Sequence, residues 1–340
     1  MLDIVVPHYD EAWEEGKRYF DMLGCQRGVD FSKIRVLLIH DGVKPFPDKY
    51  FSGYPYKVEQ HVIKHGGVSA ARNKGIDLAK AKWISFCDFD DTYSSVFSLK
   101  FVMDLLYTED YDLLWGSFIM EGSHYKEDTG TLVLTPNEQF NMVWIHNKYY
   151  RLDFLKKHNI RFCEELWFSE DSAFNAIIEG AIDQKRIGTI KTPYPPYVWC
   201  YRKNSATTDP DKIAINVLGH FRRNKYVTEE YYKEGYIHAN VMAARTMTDA
   251  YIGLNRNDVP PMLNGEEERT RDQEIMLQLE DEVYEFFMKY REDLKRVSEE
   301  FWNRVMKATL KEGNMCRYIR EDKPTFAQWL KELRKKHEKG

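Results

Sequence analysis

Short apolar runs alternate with amphipathic stretches along roughly the first hundred residues of the chain. Four runs predict strands, at Leu2–Pro7, Ile34–Ile39, Lys57–Ile63 and Trp83–Cys87. Two stretches predict helices, at Glu11–Leu23 and at Val68–Ala81 with Ser69 as its cap. Strands that alternate with helices are typical of a mostly parallel sheet. The pattern therefore predicts an α/β fold with helices on both faces of that sheet.

The pattern changes twice after this region. From residue 112 to residue 208 it is mixed: strands are predicted at Leu113–Met120, Thr131–Leu134, Lys185–Ile190 and Tyr197–Tyr201, and helices at Arg151–His158 and Ser172–Glu179. Farther on, apolar residues recur at steps of three or four from Ile275 to Val305, which predicts amphipathic helices. Asn255–Gly265, with two prolines, predicts a break between helical parts. We expect an α/β domain over residues 1–208 and a helical C-terminal module over residues 209–340.

Charge and cysteine content limit the class of protein. The 340 residues hold 49 Lys and Arg against 54 Asp and Glu, and this net charge of −5 argues against a protein that mainly coats nucleic acid. The five cysteines include no Cys-x-x-Cys pair, which fits free thiols in a reducing compartment. The sequence shows neither a signal peptide nor the ~20 apolar residues of a transmembrane segment. We expect a cytoplasmic protein, and attachment to a membrane surface through a helix stays open.

Three carboxylates, Asp88, Asp90 and Asp91, follow the fourth predicted strand directly. Residues i and i+2 of an extended chain project to the same side, so Asp88 and Asp90 can converge on one ligand. Anions brought together need a partner, and a divalent cation that also binds substrate phosphates is the natural one. Ligands of α/β proteins lie beyond the carboxyl ends of the strands. The motif predicts a metal–diphosphate site, and a solvated turn or a helix capped by Asp91 is the alternative.

Four motifs resemble those of glycosyltransferase family 2, inverting enzymes of the GT-A fold that use nucleotide-diphosphate sugars. They are Ile4-Val-Val-Pro-His-Tyr-Asp-Glu11, Leu37-Leu-Ile-His-Asp-Gly42, His65-Gly-Gly-Val-Ser-Ala-Ala-Arg-Asn-Lys-Gly75 with the Asp88 motif after it, and Trp167-Phe-Ser-Glu-Asp-Ser-Ala-Phe174. Two residues depart from the family pattern: Asp10 stands where Asn is usual, and His40 replaces the first Asp of Asp-Asp-Gly. Tyr201–Thr208 resembles the segment that often closes the catalytic domain. The resemblance covers residues 1–208, and it implies a nucleotide-binding half over residues 1–110 and an acceptor half over residues 111–208.

The resemblance implies a role for each matching residue. Pro7, Tyr9, Asp41, Arg72 and Asp88 would bind the nucleotide, Asp90 would ligate Mn²⁺ or Mg²⁺, Glu170 and Asp171 would form the catalytic pair, and His146 and Trp167 would line the acceptor or metal side. Within the pair, Asp171 would be the base for the acceptor hydroxyl. The residue types suit these roles, because an aromatic face stacks on a base and a guanidinium near a helix start favours phosphate.

The expected reaction is therefore metal-dependent transfer of a sugar from a nucleotide-diphosphate donor, with a UDP-sugar as the expected donor. The acceptor stays open among a glycan, a cell-wall polymer, another macromolecule and a modified base of DNA. A nucleotidyltransferase is the alternative enzyme, although such enzymes usually carry a Gly-rich loop where this chain has Pro7-His-Tyr-Asp10. A non-catalytic sugar-binding protein is the third interpretation. The presence together of four carboxylates argues against it: Asp88, Asp90, Glu170 and Asp171. The helical module would supply acceptor specificity or the contacts of a homo-oligomer.

Overall fold

The computed structural model describes residues 1–108, 110–121, 134–137, 143–191, 195–200, 213–256, 270–312 and 324–338. These residues fall into two compact units. The first, here called the sheet unit, takes in the described residues of 1–165 and 170–204, and the second, the helical unit, those of 166–169 and 205–340. Each unit has its own hydrophobic core. Each is described by itself below.

Two sheets make up the frame of the sheet unit, and their strands are numbered in chain order. The larger sheet contains β1 (Leu2–His8), β2 (Ile34–Asp41), β3 (Lys57–Ile63), β4 (Trp83–Phe86), β6 (Leu113–Gly116), β9 (Lys148–Arg151) and β10 (Ile187–Ile190). The smaller sheet contains β5 (Thr92–Tyr93), β7 (Phe118–Glu121), β8 (Leu134–Asn137) and β11 (Tyr197–Trp199). The strand order is β10-β6-β9-β4-β1-β2-β3 in the larger sheet and β5-β11-β7-β8 in the smaller one.

The larger sheet is parallel except at one strand. β9 pairs antiparallel with both β4 and β6, and every other neighbouring pair is parallel. β1 and β2 are buried along almost their whole length, as expected for strands that are covered on both faces. The predicted mostly parallel α/β fold is therefore confirmed, and β9 is an antiparallel strand that the sequence pattern did not indicate.

Helices cover both faces of the larger sheet. They are α1 (Trp13–Gly24), α2 (Gly67–Leu78), α3 (Ser98–Thr108), α4 (Leu152–Lys157) and α5 (Glu170–Ala181). Alternate residues of β1 point to opposite faces. Ile4 and Val6 join the core that α1 and α3 also build, whereas Val5 lies against Gly75 of α2. The apolar residues of β1 are thus used on both sides of the sheet.

Two local expectations were wrong. Ser69 does not cap α2, because the helix begins at Gly67 and Ser69 is buried inside it. The predicted strand Leu113–Met120 is two strands, β6 and β7, which belong to different sheets. The two strands are separated by Ser117, whose carbonyl oxygen accepts a hydrogen bond of 2.8 Å from the Asn147 side chain. α3 was not predicted, and residues 131–133 and Tyr201 of two predicted strands lie outside the described residues.

The helical unit contains α6 (Ile213–Lys233), α7 (Ala239–Leu254), α8 (Arg271–Lys295), α9 (Glu299–Glu312) and α10 (Phe326–Glu338). α8 begins with a capping box, in which Thr270 and Gln273 bond each other's backbone N–H groups. The apolar stripe predicted from Ile275 onward is shared by α8 and α9, and most of its α8 residues are buried in the core of this unit. Among the described residues, no helix is long and apolar enough to cross a membrane.

Candidate active site

The candidate site lies where the order of the parallel strands reverses. From β1 the chain moves outward to β2 and β3, and it then returns to β4 on the other side of β1. Ligands of open α/β sheets bind at such a switch point, beyond the carboxyl ends of the strands. Asp88 follows β4 at this edge, and Tyr9 follows β1 beside it. The fold therefore brings the first and third sequence motifs to one edge of the sheet.

Arg72 joins two of the predicted carboxylates. Its Nη2 atom donates to Asp88 Oδ1 at 2.9 Å, and its Nη1 atom donates to Glu170 Oε1 at 2.8 Å. Burial by itself lowers the pKa of Arg72, but the charges of Asp88 and Glu170 more than offset this and raise the pKa. The guanidinium also lies over the Phe162 ring, 5.3 Å from its centroid. One buried cation thus connects the end of β4 with the start of α5.

The approach of α2 to the sheet places Arg72 at this point. Gly75 stands one turn later on α2, and a Cβ atom there would lie 2.3 Å from Val5 Cγ1. Only a residue without a side chain allows α2 to lie this close to β1. Gly75 therefore allows α2 to lie close enough to β1 for Arg72 to contact Asp88 and Glu170.

Asp171 lies in the first turn of α5, next to Glu170. The residue before the helix, Ser169, has a φ of +58°, a left-handed conformation that is uncommon for a residue with a side chain. Burial and the charge of Glu170 raise the pKa of Asp171 to about 7, and Arg72 opposes this shift. A general base works best when its pKa is near the operating pH. Asp171 therefore has the acidity that its predicted role requires.

A second group of side chains could hold a metal ion. One ligand atom from each of Asp88, Asp91 and His146 lies within 4.8 Å of the others. Asp91 is buried, and it accepts hydrogen bonds from the Tyr197 hydroxyl and, at 2.8 Å, from the Cys200 N–H. Each carboxylate oxygen has a second lone pair, so these bonds leave Asp91 able to ligate a cation.

The histidine of this group fits such a role. His146 Nδ1 is buried, forms no hydrogen bond with any described residue, and lies 3.7 Å from Asp91 Oδ2. Burial lowers the pKa of His146 to about 4, so the ring is neutral at pH 7, which is the form that binds metals. Asp90, the predicted metal ligand, is partly buried in the same turn but does not belong to this three-residue group.

Tyr9 and Asp41 lie at the edge of the sheet that was predicted to bind the nucleotide. Tyr9 is 47% exposed, and its ring stacks on His65 with centroids 4.7 Å apart. Asp41 accepts hydrogen bonds from the backbone N–H groups of Gly66 and Gly67 at 2.7 and 2.9 Å. The side chain that accepts hydrogen bonds from the N–H groups at the start of α2 is therefore that of Asp41, not that of Ser69. Pro7 lies within β1, next to Ile39 of β2.

His40, which replaces an Asp of the family motif, turns away from solvent. It is fully buried, its Nδ1 atom lies 2.8 Å from His8 Nδ1, and its Nε2 atom lies 3.0 Å from Gln60 Oε1. Burial lowers the pKa of His40 to about 4, so this ring is neutral at pH 7. With both ring nitrogens engaged, His40 holds β1, β2 and β3 together and is not placed to contact a base.

Trp167 belongs to the helical unit, unlike the other predicted site residues. It is 48% exposed, and a Cβ atom on Gly219 of α6 would lie 3.0 Å from its indole ring. The neighbouring Phe168 ring meets the ring of His220 edge-on, with centroids 4.8 Å apart. An acceptor contact of Trp167 stays a prediction.

Three functional candidates were missed as such in the sequence. The sequence pattern marks Asp91 as a carboxylate of the motif or a helix cap, places Tyr197 in a strand, and gives Lys148 no role. Tyr197 reaches Asp91 from β11, more than a hundred residues later in the chain. A local pattern gives no signal for such a contact, because it depends on how the smaller sheet packs.

The comparisons with known proteins agree with this geometry. The family described as Glycosyl transferase family 2 matches residues 3–168. A curated relative, the uncharacterized glycosyltransferase EpsJ of Bacillus subtilis (strain 168), is 26% identical over 235 residues, which cover 64% of this chain and 65% of the relative. The chain thus spans just under two thirds of that relative's length.

Solved structures show the same fold. S. aureus TarS superposes with a TM-score of 0.54 at 15% identity, over 90% of this chain and 55% of the TarS chain. At this identity the likeness concerns the fold alone. The family model covers the first three motifs and the first two residues of the fourth, so residues 3–168 of this chain match glycosyl transferase family 2.

Proposed function

We propose that this chain is an inverting glycosyltransferase that moves a sugar from a nucleotide-diphosphate donor to an acceptor hydroxyl group. The observation that carries the proposal is the Arg72 bridge, which connects Asp88 on the donor side with Glu170 and, next to it, Asp171. Asp171, whose pKa is about 7, therefore follows directly on a carboxylate that Arg72 connects with the proposed diphosphate site. Inversion needs one base opposite the leaving group, and Asp171 supplies it.

Each step of the transfer has a residue to perform it. Asp171 takes the proton of the acceptor hydroxyl, and the oxygen attacks the anomeric carbon as the bond to the diphosphate breaks. Arg72 pairs with Glu170 and fixes the start of α5, which orients Asp171. Asp88 and Asp90 would hold Mn²⁺ or Mg²⁺, and Asp91 and His146 extend this set of ligands. When bound, such an ion neutralises charge on the departing diphosphate.

Donor recognition is assigned to the edge formed by β1 and β2. Tyr9 offers an exposed aromatic face for the base, and Asp41 and Pro7 shape the turn and strand beside it. Asp88 would bind the ribose. We propose a UDP-sugar as the donor. No observation favours the nucleotidyltransferase alternative, since the family match is to glycosyl transferases.

The acceptor, the assembly and the location are proposed more broadly. A glycan or another hydroxyl-bearing polymer is the proposed acceptor, and Trp167 is a proposed contact for it. A nucleic acid is the alternative acceptor that the test should exclude. The helical unit would carry acceptor specificity or homo-oligomer contacts. Cys25, Cys87 and Cys200 are free thiols, which supports a cytoplasmic location.

The test is a panel of nucleotide sugars, each incubated with Mn²⁺ or Mg²⁺ and with candidate glycan acceptors. We expect hydrolysis or transfer with one donor, and NMR of the product should show the anomeric configuration opposite to that of the donor. Retention of configuration would remove Asp171 as a direct base. Nucleotide transfer without sugar transfer would support the alternative enzyme.

A further inference from the structure

Lys148 is a buried cation that the steps above do not use. It begins β9 in the middle of the larger sheet, and only 4% of its surface is exposed. Its Nζ atom donates to the Trp144 carbonyl oxygen, which is its one hydrogen bond with the described residues. An ammonium group has three N–H donors. Two donors of Lys148 therefore lack an acceptor within the described part of the chain.

This arrangement does not stabilise the fold. Moving an ammonium group out of water is costly unless it is paired and hydrogen-bonded. The one oxygen that Lys148 contacts does not depend on it, because Asn175 Nδ2 also donates to the Trp144 carbonyl, at 3.0 Å. A methionine of similar length would fill the same space without a charge. The lysine therefore needs an explanation outside folding.

Its position supplies that explanation. Asn175 stands one turn after Asp171 on α5, and it also accepts a hydrogen bond of 2.7 Å from the Tyr150 hydroxyl. Tyr150 and Lys148 lie on the same side of β9, two residues apart. Lys148 is thus beside the first turn of α5.

We propose that Lys148 is a substrate-binding residue of the transfer site, where its two remaining N–H groups donate to hydroxyl oxygens of a sugar. This inference rests on the proposed glycosyl transfer. Both the donor sugar and a glycan acceptor present such oxygens. The experiment therefore measures the two separately.

The experiment compares Lys148→Met with the full-length wild-type chain. Lys156→Met is the matched control, because Lys156 Nζ also donates to a carbonyl oxygen, that of Ala79 at 3.3 Å, but Lys156 is exposed on α4. Three quantities are measured: the Tm without ligand, the calorimetric Kd of UDP-N-acetylglucosamine and of UDP, and the KM for the acceptor found in the panel. If the panel selects another donor, that nucleotide sugar and its nucleoside diphosphate replace the probes.

We expect Lys148→Met to unfold at the same or a higher Tm, because a buried charge is removed. Loss of hydrogen bonds from a charged donor should weaken binding of the sugar by about 10- to 100-fold. If the donor sugar is the ligand, UDP-N-acetylglucosamine binding weakens and UDP binding is unchanged. If the acceptor is the ligand, its KM rises and both Kd values are unchanged. Lys156→Met should alter none of them.

Two results would overturn the proposal. A clearly lower Tm with unchanged Kd and KM values would show that Lys148 is structural. Unchanged values of all three quantities would show that its N–H groups meet no substrate. Failure of the proposed function looks different, because the wild-type chain would then bind no nucleotide sugar and transfer none, and the role of Lys148 would fall with it.

Discussion

At the scale of single residues, the charge of Asp171 is the feature most directly linked to turnover. Replacing Asp171 with Asn keeps the size of the side chain but removes the carboxylate that we propose accepts the acceptor proton. We expect turnover to fall by about 10²- to 10⁴-fold, while donor affinity stays within a factor of about three. Turnover is followed by product formation and donor binding by calorimetry. Near wild-type turnover of Asp171→Asn on the true acceptor would place the base elsewhere.

The raised pKa of Asp171 also predicts the pH dependence. The base is active when it is ionised, so kcat/KM should fall as the pH drops through about 7 and level off above it. Below the midpoint the loss approaches tenfold per pH unit. Glu170→Gln removes the neighbouring negative charge that helps to raise this pKa, and it should move the midpoint to lower pH. A midpoint near 4 in the wild-type chain would contradict the assignment, because it is the value of an ordinary aspartate.

A third prediction concerns the metal. Asp88 and Asp90 accept hydrogen bonds but donate none when ionised, so they cannot face a diphosphate without a cation between them. We expect UDP to bind at least about tenfold more tightly with Mn²⁺ than with EDTA. Asp90→Ala should abolish this difference while leaving the Tm within about 2 °C of wild type. Calorimetry and thermal unfolding measure the two effects.

The control for this prediction is Asp104→Ala, which removes an exposed carboxylate that pairs with Lys100 on α3. It should leave the metal dependence intact. Equal UDP affinity in Mn²⁺ and in EDTA for the wild-type chain would remove the metal from the mechanism. Loss of the metal effect in His146→Ala but not in Asp90→Ala would assign the ion to the Asp88, Asp91 and His146 group.

Sequence motifs predicted some contacts of the site and not others, for a physical reason. Arg72, Asp88 and Glu170 were singled out before the structure, and it connects them. Tyr197 and Lys148 carried no signal, because each lies on a short strand whose neighbour is distant in the chain. The side chains that surround a motif depend on sheet order, which local periodicity does not contain.

At the scale of elements, the close contact between α2 and β1 controls where Arg72 lies. Gly75→Ala adds a methyl group that would lie 2.3 Å from Val5 Cγ1, and Val5 is a buried, branched side chain that cannot move aside. We expect the variant to lose about 1–3 kcal/mol of unfolding free energy. We also expect weaker UDP binding, since α2 would move and Arg72 with it. Urea unfolding and calorimetry measure the two effects.

Gly53→Ala is the matched control for this prediction. No atom lies within 4 Å of the position that its Cβ would take, so its unfolding free energy should stay within about 0.5 kcal/mol of wild type. If Gly75→Ala is as stable as Gly53→Ala, the helix has room that the structure does not show. If Gly75→Ala is less stable but binds UDP normally, the distance between α2 and β1 does not determine the position of Arg72.

Elements with strong apolar runs were predictable, and those without were not. β1 to β4 were indicated by their sequences within one or two residues of the observed bounds. β9 has charged residues at both ends of only four positions, so no run marked it as central to the sheet. The cap of α2 was misassigned, because the N–H groups at its start bond to Asp41 at the end of β2 and not to a residue beside the helix.

At the scale of the whole molecule, the two units differ in what they contain. The carboxylates, Arg72 and Lys148 all lie in the sheet unit, and its core draws on residues 2–197. The core of the helical unit draws on residues 214–333. Because each core is complete within its own unit, the sheet unit should fold and bind nucleotide without the helices. The predicted boundary, between residues 208 and 209, lies outside the described residues, so the division is tested by truncation.

We therefore predict that a chain ending at Asn204 binds UDP with Mn²⁺ within about threefold of the full-length affinity, and that it loses acceptor transfer. Trp167 and Phe168 lose their α6 neighbours in this chain, so it should be less soluble than the full-length protein. Circular dichroism first establishes that the shortened chain is folded, and calorimetry then measures UDP binding. A folded chain that does not bind UDP would show that the helical unit contributes to the donor site. Unchanged transfer to the acceptor would show that the sheet unit alone recognises both substrates.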